Sequence, residues 1–217
     1  MMNNMFNIFD PSSFIFNLNW MSSMIIILLM PMKFWTSSSR INKMLNITMN
    51  WINKEIMINI KNNKFILMIS SMFIFIMLNN FMGLFPYIFT STSHLSMNLT
   101  FSLPIWLSIM MYGWMNKTNK MFTHLIPNST PFPLMPFMVL IESISNIIRP
   151  LTLAVRLTAN MIAGHLLLTI MSSSSNIKFM PMIILTQILM MMLEMAVAMI
   201  QSYVFTILSS LYMSEIN

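Results

Sequence analysis

The chain has 217 residues, of which 57% are hydrophobic and only 7% charged, and its mean hydropathy of +0.74 is more than the surface of a water-soluble domain of this size could carry. The formal net charge of +6 sits mostly in segments flanking apolar stretches, so it indicates orientation and anionic headgroups rather than a nucleic-acid partner. With no cysteine, a disulfide framework and a thiolate metal site are both excluded.

The first basic residue is Lys33, so the chain shows no cationic start of a cleavable presequence. Its 31 methionines are scattered through every apolar segment without clustered spacing. They read as nucleotide bias in the gene and as core filler rather than as a thioether copper site.

In chain order, residues 11 to 32 carry no charge and end at Lys33, long enough for a first span. Residues 36 to 64 follow with five basic side chains. At about 100° per residue, Lys43, Asn50, Lys54 and Lys61 share one helical face, with Ile41, Leu45, Ile52 and Ile56 opposite. That pattern predicts an amphipathic helix lying on the membrane surface.

Residues 65 to 116 hold no formal charge and predict two spans, 65–90 and 97–116, joined by the polar turn Ser91 to Ser96 with Gly83 and Pro86 nearby. Lys117 and Lys120 come next, so the positive-inside rule places 33–64 and 117–120 on one side of the membrane. The apolar pattern then runs over 137–171, breaks at Ser172 to Lys178, and resumes over 179–213. Helices of this length are about 50 Å long, more than an upright span needs, and steep tilt absorbs the excess. Pro150 removes a backbone donor and is expected to bend the first of them. The sequence therefore predicts an all-α integral membrane protein forming one membrane domain: three upright transmembrane helices, one amphipathic surface helix, and a C-terminal hairpin of two long, strongly tilted membrane helices.

The hairpin carries the chemistry. On a helical wheel centred on Glu142, Arg149 falls at about −20°, Arg156 at about −40° and Asn160 at about 0°, a narrow polar stripe. His165 lies half a turn away from Arg156. On the second helix Gln187, Glu194 and Gln201 recur every seven residues among Leu, Met, Ile and Val. With the turn near Ser175, Glu194 is expected level with Arg156, and Glu215 level with Glu142. Charges in the membrane interior are costly, so they face a partner or a water-filled path, and the default reading is an ion or proton route. A structural alternative, in which Arg149 or Arg156 only neutralises Glu142 or Glu194, stays open, more so for Arg149 than for Arg156. His165 combines a titration near neutral pH with Gly164 beside it, which lets another group or a water come close. His94 and His124 sit in loops and are given no role. The histidine spacing gives no metal site, and no glycine-rich phosphate cradle exists, so no cofactor is expected.

The segments RPLTLAVRLTANMIAGHLL and LEMAVAMIQSYVFTILSSLY, with NNFMGLFPYIFTSTSHL (79–95) and the opening MFNIFDPSS, closely resemble the subunit a family of F-type ATP synthases in its mitochondrial form, and look like the version encoded in insect mitochondrial DNA. Residues 36–64 carry the resemblance least. It implies a proton-translocating stator subunit, multi-pass in the mitochondrial inner membrane with the basic loops in the matrix. That subunit is not itself catalytic for ATP. It faces a ring of c subunits, each with one buried carboxyl group, and forms two offset proton half-channels that couple proton flow to ring rotation and ATP synthesis. Further partners implied are the other membrane-sector and peripheral-stalk subunits.

In that frame Arg156 matches the essential arginine, whose permanent cation favours the ionised rotor carboxylate and cannot relay protons between the channels. His165 and Glu194 match the inlet relay, Asn160 and Gln201 orient water or the arginine, and Glu142 matches the outlet carboxylate. Glu215 and Arg149 are weaker candidates. Two other readings of the same residues are a secondary carrier, which lacks support because no internal repeat or broken-helix pair is visible, and a structural subunit whose buried charges fix helix register.

Overall fold

A computed structural model describes all residues except 1–4, 13–16, 31–36, 38, 61–64, 86–87, 127–130, 174–179 and 217. The described residues form seven α-helices: α1 Ser22–Leu29, α2 Arg40–Asn59, α3 Ile66–Gly83, α4 Leu95–Asn116, α5 Thr118–Leu125, α6 Met135–Ser173 and α7 Met180–Ile216. Short 3-10 turns at Met5–Phe9, Leu18–Met21, Ser91–Ser93 and Phe132–Leu134 join or precede them. Four helices are long and apolar enough to cross a membrane: α3, α4, α6 and α7.

The stretch expected as a first span over 11–32 contains a shorter element. Its described helix runs from the 3-10 turn at Leu18 to Leu29, roughly 18 Å at α-helical rise and well short of a hydrocarbon core. The expected 65–90 span ends at Gly83, followed by Leu84 and Phe85 in a turn, with Pro86 outside the described residues. Lys61 and the hairpin turn near Ser175 also lie outside them. The short helix α5 includes His124, which the sequence places in a loop.

Helix α2 starts where the Ser39 hydroxyl accepts a hydrogen bond from the Asn42 amide, 3.3 Å, satisfying one of the donors a helix start leaves open. It ends at Ile60, whose backbone is extended. As the periodicity predicts, Lys43, Asn50 and Lys54 are exposed while Ile52 and Ile56 are buried. Ile41, placed by the wheel on the apolar face, is exposed instead, and in this first turn of α2 it is Asn42 that is buried. Farther along, Ile52, Ile56 and Ile60 enter one core with Ile66, Ile69, Phe73 and Ile76 of α3, Ile105 and Ile109 of α4, Leu153 and Leu157 of α6, and Phe205 of α7. Trp51 stacks on Tyr203 at 5.7 Å, and the Asn59 amide donates to Ser210 Oγ at 3.0 Å. The amphipathic helix is therefore a wall of the bundle as well as a surface element.

The most extensive interface joins α3 to α7. On α7 the inward positions Ser202, Thr206, Ser209 and Ser210 are almost fully buried, and each hydroxyl donates to the carbonyl three residues earlier. Small, internally satisfied side chains let two backbones approach without stranding a polar group in an apolar setting. Helix α4 packs on α6, and α6 on α7. Pro104 and Pro150 lie inside α4 and α6, both of which continue through them.

Candidate functional site

Helices α6 and α7 are antiparallel, and two contacts fix their register. Near one end, Arg149 of α6 meets Glu215 of α7. Further along, the point where a Cβ on Gly164 would stand is 2.9 Å from Glu194 Oε1. A side chain there would press on the tip of Glu194, whose carboxyl group rests directly against the α6 backbone at the glycine. This corrects the expected alignment. Glu194 lies level with Gly164 and His165, two turns beyond Arg156, because α7 begins only at Met180. Counting eight residues from that contact in each direction brings Arg156 level with Ser202, beside Gln201.

The half-turn between Arg156 and His165 is realised. The inward face of α6 carries Pro150, Leu153, Ala154, Leu157, Thr158, Met161 and His165. Arg156 is exposed on the opposite face with Thr152 and Ala159, one turn to either side, and makes no ion pair among the described residues. Asn160 is half-buried. His165 is only 9% exposed and its Nε2 has no hydrogen-bond partner among the described residues, nor has the buried Oε2 of Glu194. The ring of Phe9 meets the His165 imidazole edge-on, 6.2 Å between centroids, and the Phe9 carbonyl accepts a 2.9 Å hydrogen bond from His94 Nε2. His94, given no role from sequence, thus anchors the residue that covers His165. It also stacks on Phe89 and touches Trp20.

On α7, Gln187, Glu194 and Gln201 are half-buried while Ile188, Leu189, Leu193 and Ile200 beside them are exposed. The polar seam is turned toward the protein and the apolar residues face outward.

At the other end, Arg149 bridges Glu142, 3.6 Å away, and Glu215, with its guanidinium 5.0 Å from the Tyr212 ring centre. These groups and Asn146 line one side of a cavity of about 250 Å³, with Trp106 and Trp114 of α4 and Met121 and Leu125 of α5 opposite. The basic segments α2 and α5 both gather here, since Asn59 bonds Ser210 and α5 lines the cavity. Glu142 and Arg149 share a stripe visible in the sequence. Glu215 joins them through the antiparallel return of α7, and Asn146 and Tyr212, overlooked in the sequence, complete the lining.

Described residues that are helical throughout their regular elements, with four membrane-capable helices among them, two of which carry unpaired and paired ionisable groups, define a multi-pass membrane protein of the ion-translocating class. The family model described as the ATP synthase A chain matches residues 14–214. Curated relatives named ATP synthase subunit a include those of Anopheles quadrimaculatus, 53% identical over 226 aligned positions, Drosophila melanogaster, 53% over 224, and Locusta migratoria, 53% over 224. Each alignment covers the whole of both chains. The chain belongs to the subunit a family of the mitochondrial F-type ATP synthase, the proton-translocating subunit of the membrane sector.

Proposed function

We propose that this chain forms two offset proton half-channels against a ring of c subunits in the mitochondrial inner membrane and couples proton flow to ring rotation. Helices α3 and α4 and the shorter α1 stand upright, and the α6–α7 hairpin lies inclined along the ring. The basic ends of α2 and α5 face the matrix. The chain carries no ATP chemistry of its own, which belongs to other subunits of the complex, and peripheral-stalk subunits hold it against rotation.

The observation that carries this reading is the separation of charges across α6. Arg156 stands exposed on the outward face of α6 without a counter-charge among the described residues, while His165 and Glu194 gather on the inward side with unpartnered polar atoms. A guanidinium left this way on a lipid-compatible surface needs a carboxylate from outside the chain. The rotor supplies it. A proton arriving from the intermembrane side passes His165 and Glu194 and neutralises a rotor carboxylate, which then turns into lipid because only the neutral acid is cheap there. After nearly a full turn the acid reaches Arg156, whose permanent cation favours the ionised form and drives release. The proton leaves past Glu142, Arg149 and Glu215 through the cavity at the basic end, which assigns Glu215 to the outlet. Asn160 and Gln201, beside Arg156 in the hairpin register, orient the arginine and its water. Each charge crossing 100 mV releases about 2.3 kcal/mol, so several protons are needed per ATP.

The test is ATP-driven proton pumping by vesicles carrying the assembled complex, native against Arg156→Gln, with assembly checked by native gel. Pumping falls at least a hundredfold with assembly intact if Arg156 acts on rotor carboxylates. Pumping at the native rate returns Arg156 to a register-fixing role, for which Arg156→Lys is also tolerated.

A further inference from the structure

The cavity at the basic end has a lining that a passage for water alone does not call for. Among its described lining residues the carboxylates of Glu142 and Glu215 stand against one cation, Arg149, so the wall keeps one negative charge in excess. Opposite that charge are the indole rings of Trp106 and Trp114 and the thioethers of Met110 and Met121. Indole faces attract a cation through the ring quadrupole, and thioethers pack adaptably around an apolar body.

A metal ion does not suit this wall. The Arg149 guanidinium bridges the two carboxylates, 3.6 Å from Glu142 and in direct contact with Glu215, so their oxygens are not free to converge on one point. No group of three His, Asp or Glu side chains that could hold an ion occurs among the described residues. Hard cations also take oxygen ligands and water, whereas these walls offer aromatic and sulfur surface. They favour a large, weakly hydrated cation whose charge is surrounded by alkyl groups.

The inner end of the cavity adds an independent sign of a missing partner. Behind Trp106, Ile109 and Tyr212, which line both spaces, lies a recess of about 20 Å³ walled by Ile105, Leu153 and Phe205. Ser102 borders this recess, 3% exposed, and its hydroxyl has no hydrogen-bond partner among the described residues. Buried hydroxyls are nearly always satisfied, and a space of this size takes one water or one small ligand group.

We propose that this cavity is a binding site for a compact alkylammonium cation. The nitrogen lies beside Glu142 and Glu215, the alkyl groups rest on Trp106 and Trp114, and Ser102 is met through one water or a hydroxyl of the ligand. A volume of about 250 Å³ equals the liquid share of roughly eight waters, room for an ammonium ion of about ten non-hydrogen atoms. A free quaternary amine and the amine of a phospholipid headgroup both carry this chemistry. Binding rests on the cavity alone. Its consequence rests on the outlet reading, because a cation held there neutralises the charge that draws a departing proton and obstructs release.

The chain has no cysteine, so Met121→Cys places the subunit's single thiol in the cavity wall. In vesicles carrying the assembled complex with its basic end outward, labelling is read from the mass of the chain. The trimethylammonium-ethyl methanethiosulfonate should react with this thiol at least fivefold faster than the sulfonatoethyl reagent, each rate taken relative to a free thiol in solution. Met115→Cys, exposed on α4 and outside the lining, should show no such preference. Tetraethylammonium should slow labelling of Met121→Cys at least fivefold, and adding Trp114→Leu should abolish that protection. If Met121→Cys does not assemble, Leu125→Cys on the same wall reads the same quantities. Absence of both the preference and the protection overturns the site, whatever pumping does. At a protecting concentration, tetraethylammonium should slow native ATP-driven pumping at least fivefold and spare Trp114→Leu, which otherwise pumps at the native rate. Protection with unchanged pumping keeps the site and brings down the outlet reading of the cavity instead. A potency of tetraethylammonium that falls as phosphatidylethanolamine is added to phosphatidylglycerol vesicles identifies the headgroup as occupant, and an unchanged potency identifies a free amine.

Discussion

The two ends of the α6–α7 hairpin solve the problem of a polar group among apolar helices in opposite ways. At the basic end, Arg149 has two carboxylates and an aromatic face around it, and the group borders a sizeable cavity. At the far end, His165 and Glu194 keep polar atoms without partners among the described residues, the carboxyl group wedged against Gly164 and the imidazole roofed by Phe9. A paired site stabilises itself and can tolerate the loss of one member. An unpartnered site depends on water and on shape, so small steric changes should cost it more.

Gly164 provides the largest contrast. A leucine there would occupy the space of the Glu194 carboxyl group, whose nearest atoms are 2.9 to 3.2 Å from the Cβ position alone. Gly164→Leu should reduce proton pumping by about tenfold or more while leaving the Arg149 cluster intact, and Gly164→Ala should fall in between, since the tip of a glutamate can yield by a few tenths of an ångström. Dye-quench measurements of pumping in vesicles check both. A native rate for the leucine variant would mean that the position of Glu194 is immaterial and erase the distinction between the two ends.

The basic end should respond in steps. Either Glu142→Gln or Glu215→Gln leaves Arg149 one counter-charge, and each should slow pumping by no more than two- to threefold. The double variant strands the arginine beside the cavity and should slow it about fivefold or more, a non-additive loss expected of groups sharing one partner. Additive effects in the same assay would show that the two carboxylates act independently, each with its own water, as at the opposite end.

Much of this contrast was legible in the sequence, and the reason is periodicity. The stripe from Glu142 to Asn160 and the seven-residue recurrence of Gln187, Glu194 and Gln201 fix which faces carry polarity, and the half-turn from Arg156 to His165 carries through into the structure. Register between helices is another matter. It depends on where the second helix begins, and with α7 starting at Met180 Glu194 stands level with Gly164 rather than with Arg156. Roles that arise from tertiary return were equally hidden. Phe9 reaches His165 across most of the chain, and Asn80 reads as an ordinary amide near a helix end, although nothing among the described residues bonds it. The long uncharged run 11–32 gave span length by composition alone, which cannot reveal that its helix stops short at both ends.

The smallest expected effect tests whether the paired end is held by more than its ion pairs. Tyr212 presents its ring to the Arg149 guanidinium at 5.0 Å, within the range where a cation over an aromatic face gains about 0.5 to 1 kcal/mol at a partly exposed site. Tyr212→Leu keeps an apolar body in the cavity wall and leaves both carboxylates in place. The complex should assemble normally, pump within about twofold of the native rate, and lose only a little resistance to heating before native-gel analysis. Combining it with Glu142→Gln should then exceed the sum of the separate changes, because ring and carboxylate hold the same cation. Strict additivity would show that the ring merely fills space, and would leave the two carboxylates as the whole of what distinguishes this end from the one at His165.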